Sequence, residues 1–107
     1  MKIAIVTALL KVSLAGWTQP LPDMARTKDA AEKGDPTAQD AMAERMVGEL
    51  NFPAAIAWFR KAAEKGNIHS QFRLGELLLK GISGVPRDED DGLKWMLTAA
   101  NNGYSHA

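Results

Sequence analysis

Apolar residues recur along this chain at helical spacing. Ala55, Trp58, Phe59, Ala62 and Ala63 stand at i, i+3, i+4, i+7 and i+8, one face of a helix. Gly92, Trp95, Met96, Ala99 and Ala100 repeat that stripe. Tryptophans, Ala-Ala pairs and closing glycines each recur 37 positions on (95 − 58, 99 − 62, 103 − 66). The stretches before them match at a spacing of 32: Gln39 with Gln71, Met42 and Met46 with Leu74 and Leu78, Ala43 with Gly75. A small residue between two large ones lets a neighbouring backbone approach, which accounts for a helix-interior glycine that otherwise costs about 1 kcal/mol against alanine. Ala30-Ala31-Glu32-Lys33-Gly34 equals Ala62-Ala63-Glu64-Lys65-Gly66, again 32 apart. The five extra residues of the second copy therefore fall between its two helices, in the loop 81–87, where lengthening costs only a few tenths of a kcal/mol.

Capping residues divide the pattern into elements. Asp23 is expected to cap a helix running to about residue 33, stopped by Gly34. Asp35 caps the next helix, with Pro36 in its first turn, to about residue 47. A turn at 48–51 leads to a partner helix, 52–65, ended by Gly66. Another helix is expected over 67–80, broken at Gly81. After the glycine- and proline-containing loop, Asp88 caps the last helix, and Glu89, Asp90 and Asp91 place negative charge at the positive end of its dipole. That helix ends at 101–103. Repeats of this length predict an all-α, stacked helical array, a short α-solenoid of antiparallel pairs: about two repeats plus a leading helix that is the second half of an earlier pair. Such arrays mostly bind other molecules.

Residues 16–22 have no helical period, and two prolines in three positions favour an extended linker. Trp17, inside it, is either an anchor on the first helix or exposed. Residues 1–15 read as a signal peptide: a basic start at Lys2, an apolar stretch, and Ser13 and Ala15 in the −3 and −1 relation for cleavage after Ala15. Lys11 interrupts the apolar stretch, and the alternative is an amphipathic N-terminal helix that stays on. The stretch is too short to span a membrane. The expected organisation is thus a signal peptide at 1–15, a linker at 16–22 and a repeat domain at 23–107, in a periplasmic or secreted protein, or a cytoplasmic one if the leader is kept.

Lys+Arg and Asp+Glu are equal at 13 each in 107 residues, so no basic excess points to nucleic acid. The absence of cysteine excludes a disulfide framework, a thiolate metal site and a cysteine nucleophile.

The second repeat spells Ala63-x-x-Gly66-x-x-x-Ser70-Gln71-x-x-Leu74-Gly75-x-x-Leu78-x-x-Gly81, then Gly84-Val85-x-x-Asp88-x-x-x-Gly92-x-x-Trp95-x-x-x-Ala99-Ala100-x-x-Gly103. This resembles the Sel1-like repeat, a relative of the tetratricopeptide repeat. Ser70 and Gly92 stand where alanine is usual, and Ser83 lengthens the Gly-x-Gly-Val turn by one residue. The first repeat, about 31–63, matches less well, lacking the glycine-rich turn, and the resemblance covers about 24–107. It implies a right-handed superhelix of helix pairs and a scaffold or adaptor role, commonly in exported bacterial proteins. It brings no catalytic residues; Leu74, Gly75, Leu78, Trp95, Ala99 and Ala100 are packing positions.

Chemistry is sparse. His69 and His106 are repeat-equivalent, so one repeat apart rather than at one ion. The 88–91 acidic run suits capping better than a calcium loop, which alternates its ligands. No phosphate-loop ending, nucleophile elbow or Ser-x-x-Lys occurs. The expectation is no enzyme, no cofactor and no metal site; an envelope enzyme such as a β-lactam-binding hydrolase is the remote alternative. Arg60, Lys61, Lys65 and Lys94 read as scattered, solvated charge. The first helices of each pair line the inner face of a solenoid. Off the packing stripe there stand Asp40, Glu44, Arg73, Glu76, Leu77 and Lys80, the candidate contacts for a protein or peptide partner, with Leu77 as an exposed apolar anchor. The alternatives are self-association through the C-terminal end and a fragment of a longer array.

Overall fold

The computed structural model describes residues 22–104. Five helices occupy them: α1 Pro22–Glu32, α2 Pro36–Gly48, α3 Phe52–Glu64, α4 Ile68–Lys80 and α5 Glu89–Asn101. Each packs on the next, α1 on α2 through α4 on α5, as a stack of antiparallel pairs requires. Among the described residues no helix is long and apolar enough to cross a membrane. The expected signal segment, residues 16–21 of the expected linker with Trp17, and His106 lie outside the described residues; residue 22, expected in the linker, begins α1.

Side-chain caps set the starts. Asp35 accepts from the Thr37 amide (3.1 Å) and Asp88 from the Asp91 amide (3.1 Å), as expected. Asn51 (3.4 Å to the Ala54 amide) and Asn67 (2.8 Å to the Ser70 amide) cap α3 and α4 in the same way. α1 begins at Pro22, one residue before the expected start at Asp23; proline's missing N–H and fixed φ suit a first helical position.

The repeated Ala-Ala-x-x-Gly sequence is a helix stop. After α1, Gly34 N–H donates to Ala31 O and Asp35 N–H to Ala30 O; after α3, Gly66 donates to Ala63 O and Asn67 to Ala62 O; after α5, Gly103 donates to Ala100 O and Tyr104 to Ala99 O. This is the Schellman arrangement three times, the two alanines presenting the last free carbonyls and the glycine taking the left-handed turn. The end of α2 has the same bonds, Leu50 to Val47 O and Asn51 to Met46 O, but its left-handed residue is Leu50, at φ +60°.

Two clusters hold the stack. The larger one contains Ala43, Ala55, Phe59, Ala63, Leu74, Leu77, Leu78, Val85 and Trp95; the smaller contains Ala31, Ala38 and Met42, and Trp58 packs against both. The close approach expected at Gly75 is met by a second glycine. A Cβ on Gly75 would lie 2.9 Å from Gly92 O, and one on Gly92 would lie 3.1 Å from Gly75 O, so the α4 and α5 backbones touch. That contact accounts for Gly92 where alanine is usual. Between these helices, Ile82 and Val85 exchange backbone hydrogen bonds (3.0 and 2.7 Å) around Ser83-Gly84, and both side chains join the larger cluster.

Ala100 departs from the expected stripe. Its repeat equivalent, Ala63, is buried against α4, whereas no described element packs on that side of α5 and Ala100 is exposed.

Candidate interaction face

Asp40 and Glu44 are one turn apart on α2; His69, Arg73, Glu76 and Lys80 follow at i, i+4, i+7 and i+11 on α4. The two polar rows meet. Ser70 Oγ donates to Asp40 Oδ1 (2.6 Å), and His69 Nδ1 lies 2.8 Å from the same oxygen. Arg73 Nε and Nη2 both donate to Glu44 Oε1 (3.0 and 2.9 Å), while Nη1 donates to Glu76 Oε1 (2.6 Å). Lys80 Nζ reaches Glu76 Oε2 at 3.4 Å. Behind this layer the guanidinium stands 5.7 Å from the Phe59 ring centroid, a cation–π distance.

The electrostatics follow from this packing. Burial opposes ionisation of Glu76, but the Arg73 hydrogen bond and the Lys80 and Arg73 charges outweigh it and hold the carboxyl below its ordinary value. Burial likewise opposes the charge on Arg73, and its bonds to Glu44 and Glu76 more than compensate, raising its pKa.

Of the six residues expected on this face, Glu44, Arg73, Glu76 and Lys80 form one hydrogen-bonded chain across two repeats, and Asp40 stands beside it through His69, whose Nε2 lies 4.0 Å from Glu44 Oε2. Leu77 does not join them. It is 4 % exposed and belongs to the larger core cluster, together with Val85 and Ile82 of the lengthened turn. At the equivalent position of the first repeat, where that turn is missing, stands the exposed Arg45. His69 and Ser70 were missed as members. His69 shares the helical spacing of Arg73, Glu76 and Lys80, a signal present in the sequence. Ser70, fully buried, departs from the usual alanine because its hydroxyl has Asp40 to bond.

Other polar residues pin helices across the stack. Gln39 and Gln71, both buried, donate to Ala31 O and Ala63 O at 3.1 Å each, locking each first helix to the stop of the helix before it. Asn102 donates to Gln71 Oε1 (3.0 Å), and Tyr104 stacks on Phe72 at 4.4 Å. Arg60 and Lys65 are not merely solvated charge. Arg60 pairs with Asp91 on α5 at 2.9 Å, and Lys65 Nζ donates to Gly34 O. Both link elements a repeat apart, which an outward-facing helical position does not reveal. Lys61 and Lys94 lie over the Trp58 and Trp95 rings, at 4.7 and 5.1 Å.

Comparison with known proteins agrees with the stack of helix pairs. The family model described as "Sel1 repeat" matches residues 37–67 and 68–104. A Sel1 repeat protein from Oxalobacter formigenes is 37 % identical with a TM-score of 0.72, covering 78 % of this chain and 25 % of its own. The protein c5321, described as a protective antigen present in uropathogenic Escherichia coli strains and displaying an SLR fold, is 28 % identical with a TM-score of 0.72, over 78 % of this chain and 19 % of its own. The chain thus spans a quarter or less of the length of these two solved structures. No curated protein sequence matches it significantly.

Proposed function

Because the chain belongs to the Sel1 repeat family, whose members are generally protein-interaction modules, we propose that it is a non-enzymatic binding module that captures a protein or peptide on the face formed by α2 and α4. The observation that carries this reading is the polar row from Asp40 to Lys80, which crosses two repeats and stays partly exposed. Three carboxylates stand there against Arg73 and Lys80, so the face suits a partner that presents basic side chains. Affinity capture from the native cell envelope, followed by mass spectrometry, identifies the partner. Reversing the charges of Arg73 and Glu76 together then abolishes capture while circular dichroism stays helical. Unchanged capture by that folded variant removes this face from the reading.

The proposal includes export. The basic start, the apolar stretch and the Ser13–Ala15 spacing support it, and one structural neighbour is described as a protective antigen. N-terminal sequencing of the mature protein should then begin at Gly16; a chain still beginning at Met1 overturns it.

A second reading is self-association through α5. Leu93 and Leu97 are 47 % and 63 % exposed, on the helix that also exposes Ala100. Leu93 and Ala100 are the repeat equivalents of Ile56 and Ala63, which the following helices cover. Sedimentation velocity should show a dimer at high concentration that Leu97→Asp dissociates; a strict monomer removes this reading.

A further inference from the structure

The polar face brings two acceptor atoms to the same gap. His69 Nδ1 lies 2.8 and 3.0 Å from the two oxygens of Asp40, and Oδ1 of that carboxyl also accepts from Ser70 Oγ. A carboxylate only accepts, so these bonds place the proton of a neutral imidazole on Nδ1. Nε2 is then an acceptor, and it lies 4.0 Å from Glu44 Oε2. That oxygen is an acceptor too, while Oε1 of the same carboxyl takes both bonds from Arg73. The gap is too wide for a hydrogen bond, and with a neutral ring there is no proton to share across it.

We infer that His69 Nε2 and Glu44 Oε2 form a seat for a primary ammonium, the lysine side chain of a basic partner, and that protonation of His69 closes it. The inference rests on the proposed capture of a basic partner by this face, and it names the group that enters. A nitrogen about 2.9 Å from both atoms sees them about 90° apart, an angle that two N–H bonds of a tetrahedral ammonium meet with little bending. Two ligands fall short of a metal shell, and among the described residues no group of three histidine or acidic side chains could hold an ion. Charge points the same way. Asp40, Glu44 and Glu76 stand against Arg73 and Lys80, which leaves one negative charge uncompensated. An incoming ammonium balances it. A proton on His69 balances it equally, and turns Nε2 into a donor to Glu44. Ammonium and proton therefore compete for one place. The His69 and Glu44 side chains are 44 % and 40 % exposed, so a solute reaches them. Asp40 and Glu44 of α2 are the ion-pair partners of His69. Arg73, one turn on along α4, is held by Glu44 and Glu76, and among the described residues α3 and α5 bring no ion-pair partner to the ring. Histidine is the side chain that ordinarily changes charge between about pH 5 and 8, so the seat is open at the upper end of that range and closed at the lower.

The test uses the full chain and nuclear magnetic resonance. The probe is Nα-acetyl-lysine amide, whose ε-ammonium is free. Its ε-acetylated analogue and potassium chloride, at equal ionic strength, are the controls. His69→Gln serves only to tell the His69 ring signals from those of His106. At about pH 7.5, long-range nitrogen–proton spectra should show a neutral His69 ring protonated at Nδ1. The probe should then shift Nε2 and the Glu44 carboxyl carbon saturably, and neither control should. At about pH 5.5 the ring is charged, and the probe should bind several-fold more weakly. These readouts come from the parent chain and depend on no variant's folding. A neutral ring protonated on Nε2 overturns the proposal. So does an equal response to the acetylated analogue, no response to the ammonium, or binding as strong at the lower pH. Each of these outcomes leaves capture of a partner through Arg73 and Glu76 standing, because the charge reversal there tests that reading separately.

Discussion

At the residue scale, Leu50 is where this chain departs most from its own rule. Four helix stops place glycine at positive φ, Gly34, Gly66, Gly81 and Gly103; the fifth places a leucine there, at φ +60° and 75 % exposed. An L-residue there is strained by roughly 1–2 kcal/mol, and exposure returns little of it through packing. Leu50→Gly should therefore raise stability by about 1 kcal/mol, read as a shift in the urea midpoint. Glu76 supplies a second prediction. Its pKa is lower folded than unfolded, so its contribution is full above the ordinary carboxylate value and is lost as pH falls through the folded one. Glu76→Gln should lower the melting temperature at neutral pH and flatten its decline below about pH 5. An unchanged acid limb would mean that the Arg73 pair adds nothing. The sequence exposed these residues unevenly. Asp40, Glu44, Arg73 and Glu76 were legible as a polar row, because helical spacing assigns a face. Leu77 was not, since what covers it includes the long turn, and periodicity within one helix says nothing about a loop folded onto it.

At the element scale, boundaries were legible wherever a local rule sets them. The stops at Gly34, Gly66 and Gly103 and the caps at Asp35 and Asp88 need no tertiary information. Asp23 misled because a capping residue one place beyond a proline has a competitor: proline itself starts helices well. The α4–α5 crossing lies between these cases. Gly75 announced a close approach, but its partner Gly92 only acquires meaning once the two backbones are seen to touch. Alanine at position 75 would meet the Gly92 carbonyl at 2.9 Å and the Met96 amide at 3.0 Å, both backbone atoms that cannot rotate away. The helices must separate, and the loosened contact costs about 2 kcal/mol, more than the ~1 kcal/mol that alanine gains in helix propensity. Gly75→Ala should therefore destabilise the protein in urea denaturation. A stabilised variant would show that the crossing is slack.

At the scale of the whole molecule, a stack of helix pairs has no single centre, and its stability is close to a sum over neighbouring interfaces. Those interfaces are unequal here. The larger cluster draws on α2, α3, α4, α5 and the long turn and buries Phe59, Leu74, Leu77, Leu78 and Trp95; the smaller, among the described residues, holds Ala31, Ala38 and Met42, without a buried aromatic. Bridges between elements a repeat apart reinforce the same asymmetry: Arg60 to Asp91, Arg73 to Glu44 and Asp40 to His69 all tie α2–α5 together, while α1 shares in such ties through the Lys65 bond to the loop that follows it. Opening should therefore begin at α1. In hydrogen exchange, amides in the interior of α1 are expected to exchange at a local opening free energy below that of the interior amides of α3 and α4, which should approach the global value. Equal protection from α1 to α4 would instead mean that the first interface is as strong as the second, and that something beyond the smaller cluster closes it.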